Sequence, residues 1–371
     1  MRKFILKACI FSLPVAGLFL FTLTFYATDK GDLIRVGYII DNLKYRTIFK
    51  TELEQKMVFT KITAINQNKP QKFKVLTIGD SFSEQFGFGY KNYLVKNHST
   101  SVLHLDKFLN KNPITSAYGI LNGNVLDKIK VDYIILQSVE REFVARSKTI
   151  NKDTIISFSS INQKFKEYND NFKKSNIDKS TRFQKIKDYI KKNIFKSENS
   201  DVFSPSRAVK FPVQNLLYLW EDNAYDSDTY KVKTRTNLFS VASNDLLFLS
   251  SDLDGAKVNN DTKAVIYLNE LLNDLSQKCQ QKGIRLIVLP SPDKFDFYYD
   301  DIIKNKRYPK PMFFDHLEPL SKSYLYLNSK KVLQRELKNK KDIYFYDDTH
   351  WSPWASQVIA CELSKMIQKK D

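Results

Sequence analysis

Two short stretches of this chain carry the side chains that acyl transfer needs. Ser81 stands in Gly79-Asp80-Ser81, directly after the apolar run 74–78 (KVLTI). A serine hydroxyl is a weak nucleophile until a base removes its proton, and the base needs an acid to hold its tautomer. Near the other end, DDTHW offers His350 as that base, Asp347 and Asp348 as competing orienting acids, and Trp351 as a wall against water. Taken alone, each stretch has an ordinary reading: a serine capping a helix, and a capping aspartate beside a surface histidine. His98, His104 and His316 have no comparable neighbours.

Positioning decides between these readings. Four polar clusters each follow an apolar, strand-like run. Ser81 follows 74–78; Gln137, Glu140 and Arg141 follow 131–136 (VDYIIL); Asp293 and Lys294 follow 284–289 (IRLIVL); Asp347, Asp348 and His350 follow 343–346 (IYFY). Short apolar strands alternating with helices predict an α/β fold, a parallel sheet with helices on both faces. In such a sheet ligands bind outside the carboxyl ends of the strands, so one edge gathers all four clusters. A helix predicted over 83–96 would present free N–H groups and a positive dipole end beside Ser81. Another helix covers 261–282 and ends near Gly283. The last helix has Ser352 as N-cap and Pro353 as its first residue, with Ala355, Val358, Ile359, Leu363 and Met366 on one face.

GDSFS (79–83) together with DTHW (348–351) resembles the SGNH hydrolase superfamily. VER (139–141) and PSPDKFDFYY (290–299) narrow the resemblance to the polysaccharide O-acetyltransferases of the alginate O-acetyltransferase type. The likeness spans residues 73–146 and 238–371. It implies a three-layer, flavodoxin-like sheet domain, with Ser81 carrying the acyl group and His350 acting as base and then acid. Asp348, or alternatively Asp347, would orient the imidazole. It also implies a polysaccharide acceptor and a polytopic membrane acyltransferase as acyl supplier. Two features depart from the pattern. The serine precedes DTHW here, as in ordinary SGNH esterases, and LQSVER replaces the superfamily's Gly-x-Asn-Asp block. The oxyanion donor would then be Arg141, a backbone group, or the N–H of Gly123 or Gly119 in the glycine-block-like YGILNG (118–123). Lys294 and Trp351 complete the candidates for substrate binding.

Residues 8–27 carry no charge, and at about 1.5 Å per residue a helix there would span roughly 30 Å, a bilayer core. Arg2, Lys3 and Lys7 precede this run. The pattern predicts a transmembrane anchor over 1–28, with the rest in the periplasm or outside the cell. A cleaved signal peptide fits less well, because Phe25 occupies position −3 of the Ala27 site. Residues 29–72 read as a stalk, and 147–237 as an inserted, mostly helical basic cap. Within the cap, residues 148–210 hold fifteen basic against seven acidic side chains, a charge suited to capturing an anionic glycan.

The whole chain of 371 residues has a net charge of +18 with 42% hydrophobic residues, which excludes wholesale disorder. An extracytoplasmic site excludes nucleic acid as the anionic partner. No Cys or His cluster implies a metal or organic cofactor; Cys279 and Cys361 could pair in an oxidising compartment. Two alternatives share these residues: a carbohydrate esterase using water as acceptor, and a non-catalytic glycan-binding scaffold.

Overall fold

The computed structural model describes residues 2–26, 33, 49–66, 69–109, 111–177, 217–224, 228–240 and 244–368. The element order is α1 (Arg2–Tyr26), β1 (Thr60–Lys61), β2 (Gln71–Ile78), α2 (Tyr90–His98), β3 (Val102–Leu105), α3 (Pro113–Asn122), β4 (Ile129–Val139), α4 (Glu140–Lys148) and α5 (Phe158–Ile177). There follow β5 (Thr229–Lys233), β6 (Asp245–Leu249), α6 (Ser250–Asn259), α7 (Thr262–Gln281), β7 (Arg285–Ser291), α8 (Lys294–Tyr298), β8 (Leu325–Tyr326), α9 (Ser329–Leu337) and α10 (Pro353–Gln368).

Six strands form one sheet in the order β1-β3-β2-β4-β7-β8, and every pairing is parallel. Successive strand residues point to opposite faces, and the sequence makes both sets apolar. Val75, Tyr133, Ile135, Ile287 and Leu289 face α2 and α10, where Tyr93, Leu94, Ile359 and Leu363 are buried. Leu76, Ile134, Leu136, Leu286 and Val288 face α3, α4 and α7, where Ile114, Phe143, Leu268 and Leu272 are buried. Near-continuous apolar runs are what a sheet covered on both faces requires, so the three-layer expectation holds. From β2 the chain steps to β3 and then crosses back to β4 on the other side of β2. The strand order therefore reverses at β2, which opens a crevice at its carboxyl end.

The segment before the sheet is tied to it. Thr60 and Lys61 add the edge strand beside β3. Phe49 packs edge-on against Phe345 at 5.5 Å, and the Leu33 N–H donates to the Asp347 carbonyl. After the cap, β5 and β6 form a separate antiparallel pair that straddles the position where the sheet domain was expected to resume.

Several expectations are corrected. A helix forms over Arg2–Tyr26, where the membrane anchor was expected. Among the described residues no helix is long and apolar enough to cross a membrane. The helix expected from 83 begins seven residues later, at Tyr90, because residues 81–83 close a turn on Asp80. Residues 343–346 join no sheet. Ile343, Tyr344, Phe345 and Tyr346 are all buried, so no alternation distinguished a strand from a buried loop, and the loop is what forms. Cys279 and Cys361 are free thiols on opposite sides of the sheet. In the cap, α5 is helical as expected; residues 178–216, which include its densest lysines, lie outside the described residues.

Candidate active site

The turn after β2 is built around Asp80. Its carboxylate accepts from the Val139 N–H at 2.7 Å, the Arg146 guanidinium at 2.6 Å and the Phe82 N–H at 3.2 Å. Burial by itself would raise the Asp80 pKa. The Arg146 charge and these hydrogen bonds outweigh it and hold the group below its ordinary value. The Asp80 N–H donates to Gln137 Oε1 at 3.0 Å, and Gln137 Nε2 donates to Ser291 Oγ, so one amide links the ends of β2, β4 and β7. Gly79 is required by close approach: a Cβ there would lie 2.2 Å from Ser83 Oγ and 2.6 Å from Gln137 Oε1. Ser81, half-buried, sits at the apex of this fixed turn.

The DDTH loop meets the turn from the other side. Its two limbs are joined by the Tyr344–Trp351 bridge, with the Phe345 N–H donating to the His350 carbonyl and the Ser352 N–H to the Ile343 carbonyl. Asp348 Oδ1 lies 2.5 Å from His350 Nδ1 and also accepts the His350 backbone N–H at 2.9 Å. Of the two aspartates, Asp348 therefore holds the imidazole; Asp347 is buried beside it. Phe82, the neighbour of Ser81, packs at 4.9 Å from the His350 ring and 5.0 Å from Trp351. Gln85 donates to the Trp351 carbonyl at 2.8 Å and accepts from Ser356 on α10. The structure thus brings the Ser81 turn and the His350 loop into contact, and Trp351 is buried between them, its Nε1 donating to Tyr344.

Lys294 is fully buried and holds the loop in place. Its Nζ donates to the carbonyls of Phe345 and Tyr346, each at 2.7 Å, and to that of Asp348 at 3.3 Å. This lysine positions the residues that flank His350.

Other expected donors are placed elsewhere. Arg141 reaches Asp252 on α6 at 3.0 Å, and the arginine that reaches the Ser81 turn is Arg146, one turn and a half further along α4. Gly123 caps the carboxyl end of α3, and its N–H is committed to the Gly119 carbonyl at 3.0 Å. It lies just before β4 begins, at the amino edge of the sheet, while Ser81 lies at the carboxyl edge. At about 3.3 Å per residue the length of β4 separates them by roughly 30 Å. The reason for glycine is packing: a Cβ at Gly123 would meet the Ile156 carbonyl oxygen at 1.8 Å, and one at Gly119 would meet the Ile156 side chain at 2.7 Å. Neither glycine supplies an oxyanion donor. Sequence reasoning missed Arg146 because a Lys- and Arg-rich chain gives no local sign of which cation a buried aspartate recruits.

Beyond Ser81 lies a polar cluster. Glu84, His104 and Asp106 bring potential ligand atoms within 4.8 Å of one another. Their charges are already met by lysines: Lys61 bonds Asp106 at 2.8 Å, and buried Lys91 acts on both carboxylates. Burial lowers the Lys91 pKa to about 7 although Glu84 and Asp106 oppose it. Burial and the Lys91 charge lower His104 to about 4. Burial would raise Glu84, but the His104 bond, the lysine charge and the Lys107 N–H bring it to about 2. At neutral pH the His104–Glu84 contact is thus an ordinary hydrogen bond, with His104 Nδ1 held by Thr77 at 3.0 Å. Lys61, the His104 ring and the Lys107 N–H thus already occupy these carboxylates.

Residues 241–371 match the family model described as an SGNH hydrolase-like domain, acetyltransferase AlgX. No curated protein and no solved structure matches the chain. The matched third holds Lys294, Asp348, His350 and Trp351; Ser81 lies outside it, contributed by the preceding part of the same sheet. Residues 241–371 are thus similar to an SGNH hydrolase-like domain of the acyltransferase and esterase class.

Proposed function

We propose that this protein is a serine O-acyltransferase, O-acetyl in the first instance, that modifies a polysaccharide through an acyl-Ser81 intermediate. The observation that carries the reading is the packing of the Ser81 turn against the loop in which Asp348 is bonded to the His350 ring. Ser81 Oγ attacks the acyl carbonyl as His350 takes its proton. The tetrahedral intermediate collapses, and His350 returns the proton to the leaving group. A sugar hydroxyl then attacks the acyl-serine, gives its proton to His350, and leaves as the ester while Ser81 is reprotonated. Asp348 keeps Nδ1 protonated and stabilises the imidazolium. Lys294 and Trp351 fix the loop that carries both.

An acyl supplier in the membrane and a site of action outside the cytoplasm belong to the same proposal. Incubating the full chain with p-nitrophenyl acetate tests the reading. Intact mass should rise by one acetyl group, and peptide mapping should put it on Ser81. Transfer to an added oligosaccharide, faster than release to water, marks a transferase. Release to water alone marks an esterase, and no adduct at all marks a scaffold without chemistry.

A further inference from the structure

Next to the Ser81 turn the carboxyl edge of the sheet opens into a cleft of about 630 Å³, within the range of small-molecule sites. Glu84, Phe86 and Asp106, from the loops after β2 and β3, line it together with Phe165 and Tyr168 of α5. Three aromatic rings line it and remain exposed to water: Phe86 is 64% accessible, Phe165 38% and Tyr168 51%. The wall is fixed, because Lys164 of α5 bonds the Leu109 carbonyl at 2.6 Å. Lys61, Lys107 and Lys111 line it as well. Exposed rings in a fixed cleft, interleaved with carboxylates and ammonium groups, match a ligand whose faces are apolar and whose edges are hydroxylated.

We propose that this cleft seats the acceptor glycan: the ring faces of consecutive sugars stack on Phe86, Phe165 and Tyr168, and sugar hydroxyls bond to Glu84. Acidic substituents on the chain meet Lys107 and Lys111. The inference rests on the acyl-transfer reading, which requires a hydroxyl-bearing acceptor beside Ser81; Glu84 and Phe86 lie three and five residues beyond that serine. A single nucleic-acid strand would also stack on aromatic rings; the need for a hydroxyl-bearing acceptor favours the glycan, and the strand is an outcome of the test.

Calorimetric titration of the full chain with cellohexaose and with a hexamer of galacturonate tests the assignment. Wild type binds at least one of them, and the hexamer of galacturonate more strongly at low salt. The Phe165→Ala/Tyr168→Ala variant, its fold checked by circular dichroism and melting, binds about 30-fold more weakly, as loss of two stacked rings implies. If that variant does not fold, Phe86→Ala, at the most exposed ring, takes its place, with a loss of about fivefold or more expected. The assignment is overturned if wild type binds neither sugar, if the aromatic variants bind like wild type, or if only an oligo-dT strand binds. Acylation of wild-type Ser81 by p-nitrophenyl acetate is measured alongside. Its failure would sink the acyl-transfer reading and leave the titration to judge the cleft on its own.

Discussion

On the acyl-transfer reading Ser81 and His350 act only with a third group, and the hydrogen bonds of Asp348 to His350 single it out for that role. Asp348 accepts from both the ring and the backbone of His350, whereas the Asp347 backbone carbonyl is bound by Leu33. Asp348→Asn should therefore lower the rate of Ser81 acetylation by about 10²–10⁴, the range of a lost acid–base partner. Asp347→Asn should leave it within a few-fold. Stopped-flow release of p-nitrophenol from both variants checks this, and equal losses would contradict the assignment. Ser81→Ala should give no acetyl adduct by mass. Its melting temperature should stay within about 2 °C, since a half-buried hydroxyl is worth about 0.5 kcal/mol or less.

At the scale of elements, the site depends on loops that regular structure holds from behind. Lys294, at the start of α8, is the tie for the DDTH loop. Lys294→Met leaves the carbonyls of Phe345 and Tyr346 buried without that donor, at about 1–3 kcal/mol for each unsatisfied group. Thermal melting should show the loss of stability, and acetylation of Ser81 in the still-folded protein should slow. The glycines of α3 make the opposite case. Gly123→Ala drives a Cβ into the Ile156 carbonyl and should cost about 1–3 kcal/mol, typical of overpacking. Acetylation per folded molecule should be unchanged, because the residue lies at the far edge of the sheet. A selective loss of acetylation at constant stability would restore Gly123 as an oxyanion donor.

For the whole molecule, buried carboxyls set the response to pH. Asp80 and Glu84 have lowered values in the fold, so their stabilisation is present above the ordinary values of 3.8 and 4.5 and is lost as pH falls through the folded values. Glu140 and Asp293 act the other way. Burial first, then the charges of Asp296 and Asp293 on Glu140 and of Asp252 and Asp296 on Asp293, raise both. Their contribution is present below the ordinary carboxylate range and is lost as pH rises toward the folded values. Glu140→Gln removes that loss while keeping an acceptor for the Asp293 N–H. It should raise the melting temperature by more at pH 8 than at pH 5, by about 3 °C or more if the difference is at least one pKa unit. A gain that is equal at both pH values, or larger at pH 5, would contradict the sign.

Local order determined much of this. The strands at 71–78, 129–139 and 285–291, the helix after Asp261 and the Ser352-capped last helix were legible because apolar period and capping residues act over a few positions. The gathering of the clusters after β2, β4 and β7 at one sheet edge followed from parallel topology; the DDTH loop follows no strand of the sheet and is brought there by Phe82 and Lys294. The turn replacing a helix after Ser81, the loop at 343–346 outside the sheet, and the roles of Arg146 and Lys294 were not legible. Each depends on which distant group a buried polar atom meets, as Asp80 meets Arg146 and three loop carbonyls meet Lys294. The glycines at 119 and 123 belong with them: their spacing resembles a catalytic block, but the tertiary fold puts the Ile156 backbone against them, and contact at that range is invisible to a reading along the chain.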